Sequence, residues 1–352
     1  METRESSKLA TIETVIRVLR EKRRLAPDKQ WVIGVTGHVA SGKSRFSRDL
    51  RYAIEEILSS RVIYCPFDYW INAGNLAAPT YAHRFYLQEL KSALQSIESG
   101  DQWMCPRYDL MKSGHVLGSM RPLAFNSLEV IWECRRFVKL SSAHEVPDVE
   151  GGKGVYFEPA TERFFSLFMP ERNVLYFMDG TLVCHESVVE DFSYDAKVFI
   201  SSSWANRVAR MIRRFNRREV FGDAASTEKE YVGFLVNEAK TCADTEITRQ
   251  IDGEMLMCRS DAETISNILD LHYLKQRLDD HPEYAELYFL APEEVDIAID
   301  EAMQALLSIT EVAKLQSLRT ELSNLIESKH LILVRDIDWI FKRLAELLRY
   351  SA

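Results

Sequence analysis

The sequence lacks the features that mark several classes of protein. It has six cysteines in 352 residues, and no two of them form a C-x-x-C pair. This spacing argues against a zinc site and a disulfide framework, and it favours thiols in a reducing, cytoplasmic compartment. No apolar run is long enough to cross a bilayer, and the polar N-terminus does not resemble a signal peptide.

Glycine and proline are also scarce, with 14 and 10 residues, and no repeat or low-complexity tract is present. A hydrophobic fraction of 46% is enough for a sizeable core, so we expect one large or two smaller globular domains. The formal net charge of −9 disfavours a general grip on nucleic acid. We therefore expect neither a nucleic-acid partner nor a membrane partner.

One stretch carries a strong motif. An apolar run, Trp31–Val35, precedes the pattern G-x-x-x-x-G-K-[ST], and a helical pattern follows it. The glycines let backbone N–H groups turn inward around phosphate oxygens. Lys43 would reach the outer phosphates and the Ser44 hydroxyl would hold Mg²⁺, at the positive end of a helix. The motif predicts a nucleoside triphosphate site formed by Gly37, His38, Val39, Ala40, Ser41, Gly42, Lys43 and Ser44.

Two aspartates follow apolar strand patterns. Asp68 comes just after Arg61–Cys65, and Asp179 ends the buried-strand pattern that begins at Val174. Ligands of open parallel sheets bind at the carboxyl ends of the strands. Asp68 is therefore predicted to accept a proton from an attacking hydroxyl, and Asp179 to hold Mg²⁺ with Ser44. A turn or helix-cap role is the alternative for both, and Glu186 is an alternative metal ligand.

A basic helix is predicted over Trp204–Glu219. Its arginines recur at three- and four-residue spacing and so share a face, which suits clamping phosphates during transfer. A solvated helix face is the alternative. We assign the catalytic contacts to Arg210 and Arg214.

The remaining patterns predict an α/β protein: a P-loop NTPase three-layer sandwich with a parallel sheet, plus a helical C-terminal extension. We place the P-loop domain at 1–260, with a lid helix at about 204–220, and the helical region at 261–352. The tail carries no chemical motif, which favours packing or subunit contact, including a homodimer through its helices. Further predictions are helices at Thr11–Arg24, Tyr81–Ser99, Leu128–Leu140 and Glu228–Cys242, a polar loop at Ser141–Gly154, and a strand pair or loop at Ala243–Cys258.

These residues together resemble the uridine kinase/phosphoribulokinase group of P-loop kinases, from about Val32 to about Arg214. The group's phosphate loop matches Gly37 to Ser44, and its D-x-[FY]-[FY] segment, which carries the catalytic base, is similar to Asp68-Tyr69-Trp70-Ile71. Its P-x-Y-D substrate segment is similar to Pro106-Arg107-Tyr108-Asp109, its strand ending in E-G to Val174–Gly180, and its lid helix to Arg207–Arg214.

The sequence also departs from the group's pattern. Asp179 replaces a glutamate, and Phe215 stands where the lid helix has an aspartate. Ser113 occupies the spacing of the substrate histidine, and His115 lies two residues further on. The Pro-Arg-Tyr-Asp segment with its basic loop also resembles the glycerate kinases of the same superfamily.

The resemblance implies an ATP- and Mg²⁺-dependent kinase that transfers the γ-phosphoryl group to a hydroxyl of a small metabolite, such as a nucleoside, sugar or hydroxy acid. It implies substrate contacts from Tyr69, Arg107, Tyr108, Asp109 and His115. The alternative is a degenerate kinase that binds ATP and acts as a switch or interaction protein through its helical tail.

Overall fold

The computed structural model describes residues 6–27, 29–75, 78–109, 114–115, 128–131, 137–140, 150–171, 173–190, 192–216, 227–260 and 265–309. In chain order the elements begin with α1 (Lys8–Leu25), β1 (Trp31–Gly37), α2 (Lys43–Leu58), β2 (Arg61–Pro66), α3 (Leu87–Ser99), β3 (Trp103–Pro106), β4 (Tyr108–Asp109), β5 (Gly114–His115), β6 (Leu128–Ile131), β7 (Phe137–Leu140), β8 (Lys153–Glu158) and β9 (Arg163–Phe168). They continue with β10 (Val174–Asp179), α4 (Glu186–Val189), β11 (Ala196–Ser201), α5 (Trp204–Asn216), α6 (Glu228–Glu238), α7 (Asp244–Thr248), β12 (Leu256–Arg259), α8 (Ile265–Asp280), α9 (Glu283–Leu287) and α10 (Pro292–Ile309). Three 3-10 helices cover Phe67–Trp70, Ala73–Asn75 and Tyr81–Arg84, and a π-helix covers Ala239–Ala243.

The chain divides into two compact units. The first contains the twelve described strands, α1 to α4, the π-helix and α7, and the second contains α5, α6 and α8 to α10. Within the described residues, no helix is both long and apolar enough to span a membrane.

A five-stranded sheet forms the centre of the first unit, in the order β12-β11-β1-β10-β2. Strand β1 pairs in parallel with β10 on one side and β11 on the other, and β10 pairs in parallel with β2. The register places Asp179 beside Val35 and Pro66, so these strands end at the same edge of the sheet. The chain places β2 and β10 on one side of β1 and then β11 on the other side. This edge of the sheet at β1 is therefore a topological switch point, where open α/β sheets bind ligands.

Helices cover both faces of this sheet. On one face, α1 and α2 pack Leu19 and Phe46 against residues that include Ile33 of β1. On the other face, α3 packs Leu94 against residues that include Tyr176 of β10. The alternating burial of neighbouring strand residues in two separate clusters confirms the predicted three-layer α/β architecture.

A second sheet, which the sequence analysis did not anticipate, is antiparallel and has the order β3-β9-β8-β7-β6. It overturns the prediction of a helix over Leu128–Leu140, because the described residues of this stretch, 128–131 and 137–140, form β6 and β7, which pair with each other. Strand β7 also pairs with β8. Ladder pairing with distant strands overrides the helical spacing of the apolar residues. The predicted polar loop at Ser141–Gly154 falls mostly outside the described residues, and its end begins β8.

Two other predicted elements differ from the structure. The helix predicted over Tyr81–Ser99 is a 3-10 helix followed by α3, because Phe85 has an extended backbone and bridges to Ile71. The predicted strand pair or loop over Ala243–Cys258 instead contains α7 and β12, and the helix predicted over Glu228–Cys242 passes from α6 into the π-helix. In each case a tertiary contact sets the local conformation.

The second unit is helical in its described part. The Trp204 indole N–H donates to the Tyr288 carbonyl at 2.9 Å, and Arg213 pairs with Asp270 at 2.7 Å. The part of the predicted helical region that follows residue 309 lies outside the described residues. The domain boundary at 260/261 and the homodimer contact through the C-terminal helices stay predictions.

Candidate active site

The phosphate-binding motif forms a tight loop between β1 and α2. Gly37 has φ +151°, and a Cβ there would lie 2.3 Å from the Ile200 carbonyl oxygen of β11. Gly42 has φ +97° and Ala40 has φ +58°, so the loop repeatedly adopts left-handed backbone. Such turns direct successive N–H groups into a concavity that accepts anions. The loop therefore has the backbone that phosphate binding requires.

The start of α2 favours a negatively charged ligand. No side chain caps the helix at Gly42, and its first turn contains no acid. Lys43 and Arg45 place positive charge at the positive end of the helix dipole, and together they favour an anion at this position. The Lys43 ammonium donates to the carbonyls of Gly37 and His38 at 2.9 and 2.7 Å. These residues fit a bound polyphosphate.

Asp179 lies buried beside this loop, with 5% of its surface exposed. The Tyr64 hydroxyl donates to its Oδ2 at 2.7 Å, and Ser44 at the start of α2 lies close to the carboxylate. Burial raises the pKa of Asp179, and the Lys43 charge and the Tyr64 hydrogen bond oppose the rise. The structure thus brings together the two side chains predicted to hold Mg²⁺, Ser44 and Asp179.

Within the described residues, no group of three or more His, Cys, Asp or Glu side chains could hold a metal ion. Mg²⁺ commonly takes one or two protein oxygens and fills its octahedron with phosphate oxygens and water. A buried carboxylate next to a serine hydroxyl fits that requirement. Glu186, the alternative ligand, is exposed in the first turn of α4.

Asp68 is exposed in the 3-10 helix that follows β2. Its neighbour Phe67 is fully buried, and a Cβ on Gly180 would lie 2.0 Å from the Phe67 Cβ. Gly180 therefore lets the ends of β2 and β10 meet. Burial raises the pKa of Tyr64, and the charges of Asp179 and Asp68 raise it further. The charges of Asp68 and Asp179 therefore both influence the ionisation of the Tyr64 hydroxyl.

The residues predicted to contact substrate belong to the first unit. Tyr69 is half-buried, and burial raises its pKa, with a smaller contribution from Asp68. Arg107 is buried, and its Nη2 donates to the Gly154 carbonyl at 3.3 Å. Strands β4 and β5 pair Tyr108 with His115 and Asp109 with Gly114. This pairing brings the displaced His115 beside the Pro-Arg-Tyr-Asp segment.

The predicted lid arginines lie in the second unit and differ in their surroundings. Arg210 is buried, and its guanidinium donates to Ser202 Oγ at 3.1 Å and to the Ser260 carbonyl at 3.0 Å. Arg213 pairs with Asp270, whereas Arg214 is exposed. Their predicted contact with phosphates stays a prediction.

The sequence analysis missed three polar residues of the first unit: Tyr64, Glu246 and Gln250. Tyr64 offered a weak signal, because it places a phenol near the end of an otherwise apolar strand. Glu246 and Gln250 offered none, since each acts on backbone groups about 65 to 165 residues away in the chain, as with the Cys184 and Tyr81 amides at separations of 66 and 165. Their contacts depend on the tertiary fold.

The geometry defines an α/β protein with a phosphate-binding loop at the switch point of a parallel sheet. No family model and no curated protein matches the sequence. Solved structures of kinases are similar to the chain at low identity. D-glycerate 3-kinase from Cryptococcus neoformans is 13% identical over 83% of this chain and 89% of its own, with a TM-score of 0.32. Phosphoribulokinase from Rhodobacter spheroides is 13% identical over 64% and 69%, with a TM-score of 0.36.

Proposed function

We propose that this protein is an ATP-dependent phosphotransferase that moves the γ-phosphoryl group to a hydroxyl of a small metabolite in the cytoplasm. The observation that carries the proposal is the arrangement around Tyr64. A phosphate-binding loop, a buried carboxylate hydrogen-bonded to Tyr64 and close to Ser44, and an exposed carboxylate meet at adjacent strand ends. Phosphoryl transfer needs positioning and charge stabilisation more than covalent chemistry, and these groups supply both.

Each group has a role in this proposal. The loop amides and the Lys43 ammonium bind the β- and γ-phosphates and stabilise the charge that develops during transfer. Ser44 and Asp179 hold Mg²⁺, which would neutralise phosphate charge when bound. Asp68 orients the acceptor hydroxyl and takes its proton, because it is exposed at the edge where the loop lies.

The acceptor side is proposed to include Tyr69, Arg107 and the β4–β5 pair with Tyr108, Asp109 and His115. The pairing of Tyr108 with His115 supports a shared contact surface, and Tyr69 lies next to Asp68 in the chain. A nucleoside, a sugar or a hydroxy acid each offers the hydroxyl that the reaction needs.

One observation favours the second candidate, an ATP-binding switch. Arg210 and Arg213, two of the arginines expected to clamp phosphates, already hydrogen-bond or pair with groups of the second unit. A chain whose arginines stabilise packing would still bind nucleotide, but it would transfer phosphate poorly. In that case the second unit would serve a partner.

An acceptor screen separates the two candidates. The purified protein is mixed with Mg²⁺ and ATP, and ADP release is measured against a panel of nucleosides, pentoses and hydroxy acids. The proposal expects one class to stimulate ADP release well above the rate without acceptor, with phosphate recovered on that acceptor. Tight ATP binding without stimulation by any class would contradict the kinase and support the switch.

A further inference from the structure

The chain segment 239–250, here called the return segment, contains the π-helix and α7. It contacts three parts of the proposed active site within the first unit. The His38 ring of the phosphate loop lies 3.0 Å from the Thr248 hydroxyl through its Nε2. Glu246 contacts the 3-10 helix at Tyr81, and Gln250 contacts the turn after β10. π-helical turns are rare and often occur at functional sites.

The Glu246 carboxylate caps the 3-10 helix Tyr81–Arg84. Its two oxygens accept from the backbone N–H groups of Tyr81 and Ala82, each at 2.8 Å. A carboxylate on two N–H groups at a helix start is a charge-assisted contact of the strong kind. The contact therefore fixes this 3-10 helix, which is the only helical backbone described between residue 78 and α3.

Packed aromatic rings connect this 3-10 helix to the residue before Asp68, the proposed base. The Tyr81 ring packs edge-on against Phe85 at 5.3 Å, and Phe85 stacks on Phe67 at 4.5 Å between centroids. Phe67 precedes Asp68 in the chain. Displacing the 3-10 helix would therefore displace the ring that supports the backbone of Asp68.

The Gln250 side-chain amide connects β1 to the turn that follows Asp179. It is buried, its Nε2 donates to the Thr181 carbonyl at 2.6 Å, and its Oε1 accepts from the Cys184 N–H at 3.1 Å. The Thr36 hydroxyl donates to the same Thr181 carbonyl at 2.9 Å. The Thr36 hydroxyl also lies 3.4 Å from Gln250 Oε1. Thr36 precedes the phosphate loop and Thr181 follows Gly180, so the amide and the Thr36 hydroxyl together join the end of β1 to the turn after the metal-binding carboxylate.

We propose that Glu246 and Gln250 are positioning residues: Glu246 orders the acceptor side of the site through the 3-10 helix, and Gln250 orders the metal side through the turn after β10. The acceptor and metal roles rest on the proposed kinase function, whereas the ordering of the two backbone segments does not. A residue that merely stabilised the fold would weaken all parts of the site together. The proposal requires two separable defects.

The test for Glu246 compares Glu246→Gln with Glu254→Gln, which removes the same charge from a side chain that is 83% exposed. We expect Glu246→Gln to raise the KM for the phosphoryl acceptor about tenfold, because the charged carboxylate that accepts from two backbone N–H groups is lost. The Kd for ATP should stay within about twofold of wild type. Hydrogen exchange at the Tyr81 and Ala82 amides should accelerate about tenfold. Glu254→Gln should match wild type in all three.

The test for Gln250 compares Gln250→Met, which keeps the volume and removes the amide, with Gln88→Met on the exposed face of α3. We expect Gln250→Met to raise the Mg²⁺ concentration for half-maximal activity about tenfold and to accelerate exchange at Cys184, with the acceptor KM unchanged.

Three results would overturn the proposal. The first is wild-type acceptor KM and wild-type exchange in Glu246→Gln. The second is a parallel loss of ATP, Mg²⁺ and acceptor affinity in both variants, which would indicate a purely structural role. If the wild-type protein transfers phosphate to no acceptor, the kinase function fails and the exchange data decide alone. Faster hydrogen exchange confined to residues 81–84 or 181–184 then supports the ordering role. Faster hydrogen exchange spread over the first unit is the third contrary result.

Discussion

The substitution Tyr64→Phe gives a quantitative test of the proposed metal site. The hydroxyl donates to the buried Asp179 carboxylate at 2.7 Å, and its loss leaves an ionised group with one hydrogen bond fewer. A hydrogen bond to a charged group contributes about 1.5–3 kcal/mol to stability. The same loss raises the pKa of Asp179, since this bond favours the ionised form.

Two measurements follow from that magnitude. Urea unfolding of the metal-free protein at neutral pH should show a loss of about 1.5–3 kcal/mol in the free energy of unfolding. The acidic limb of Mg²⁺-dependent ATP binding should move to higher pH, because Asp179 must lose its proton to bind the metal. Tyr52→Phe is the matched control, since Tyr52 is 62% exposed on α2.

A double-mutant cycle with Asp179→Asn tests whether the two side chains act on each other. If they do, Tyr64→Phe should cost much less in the Asp179→Asn background than in the wild type. Equal behaviour of Tyr64→Phe and Tyr52→Phe in stability and in Mg²⁺ dependence would refute the reasoning about the metal side of the site.

Two further predictions concern the same strand end. Asp179→Asn should stabilise the metal-free protein at neutral pH by about 1.4 kcal/mol for each unit by which the folded pKa exceeds 3.8. The folded state holds the proton at pH values where the unfolded state has lost it, so wild-type stability falls as pH rises through this window, and the gain should disappear in acid. Gly180→Ala should destabilise by about 1–3 kcal/mol and abolish turnover, because the methyl group would displace Phe67. Chemical denaturation checks both, with Gly253→Ala, which meets nothing within 4 Å, as the control for the second.

The central sheet and the phosphate loop could be predicted because their signals are local. Strand β10 is buried at all six positions, so its sequence is a continuous apolar run that ends in the acid. The motif at Gly37–Ser44 fixes its own backbone through glycine positions. Asp68 and Asp179 followed from a topological rule that needs only the order of strands and helices.

The antiparallel sheet could not be predicted in the same way. The stretch Leu128–Leu140 has apolar residues at spacings that fit a helix, but β6 pairs with β7 and β7 pairs with β8. The break between Tyr81–Arg84 and α3 likewise depends on the Ile71–Phe85 bridge and on Glu246. These pairings are set by the sheet and by the tertiary fold, and the spacing of apolar residues along the chain does not reveal them.

The site shows the same division. The candidate residues for phosphate and metal could be named from a motif and from strand positions, whereas the residues that contact their backbone could not. Gln250 lies 214 residues from Thr36, and their contact exists only when β1 and the turn after β10 are brought together. Sequence patterns therefore indicate the candidate site residues better than the residues that support them.

The most direct test of the central claim is the effect of Asp68→Asn on binding and turnover, with Asp101→Asn at an exposed position as the control. Asp68→Asn should bind ATP with Mg²⁺ about as tightly as wild type, while acceptor-dependent turnover falls by roughly 10²–10⁴-fold. Turnover at the wild-type level in Asp68→Asn would contradict the claim that this carboxylate prepares the acceptor hydroxyl for transfer.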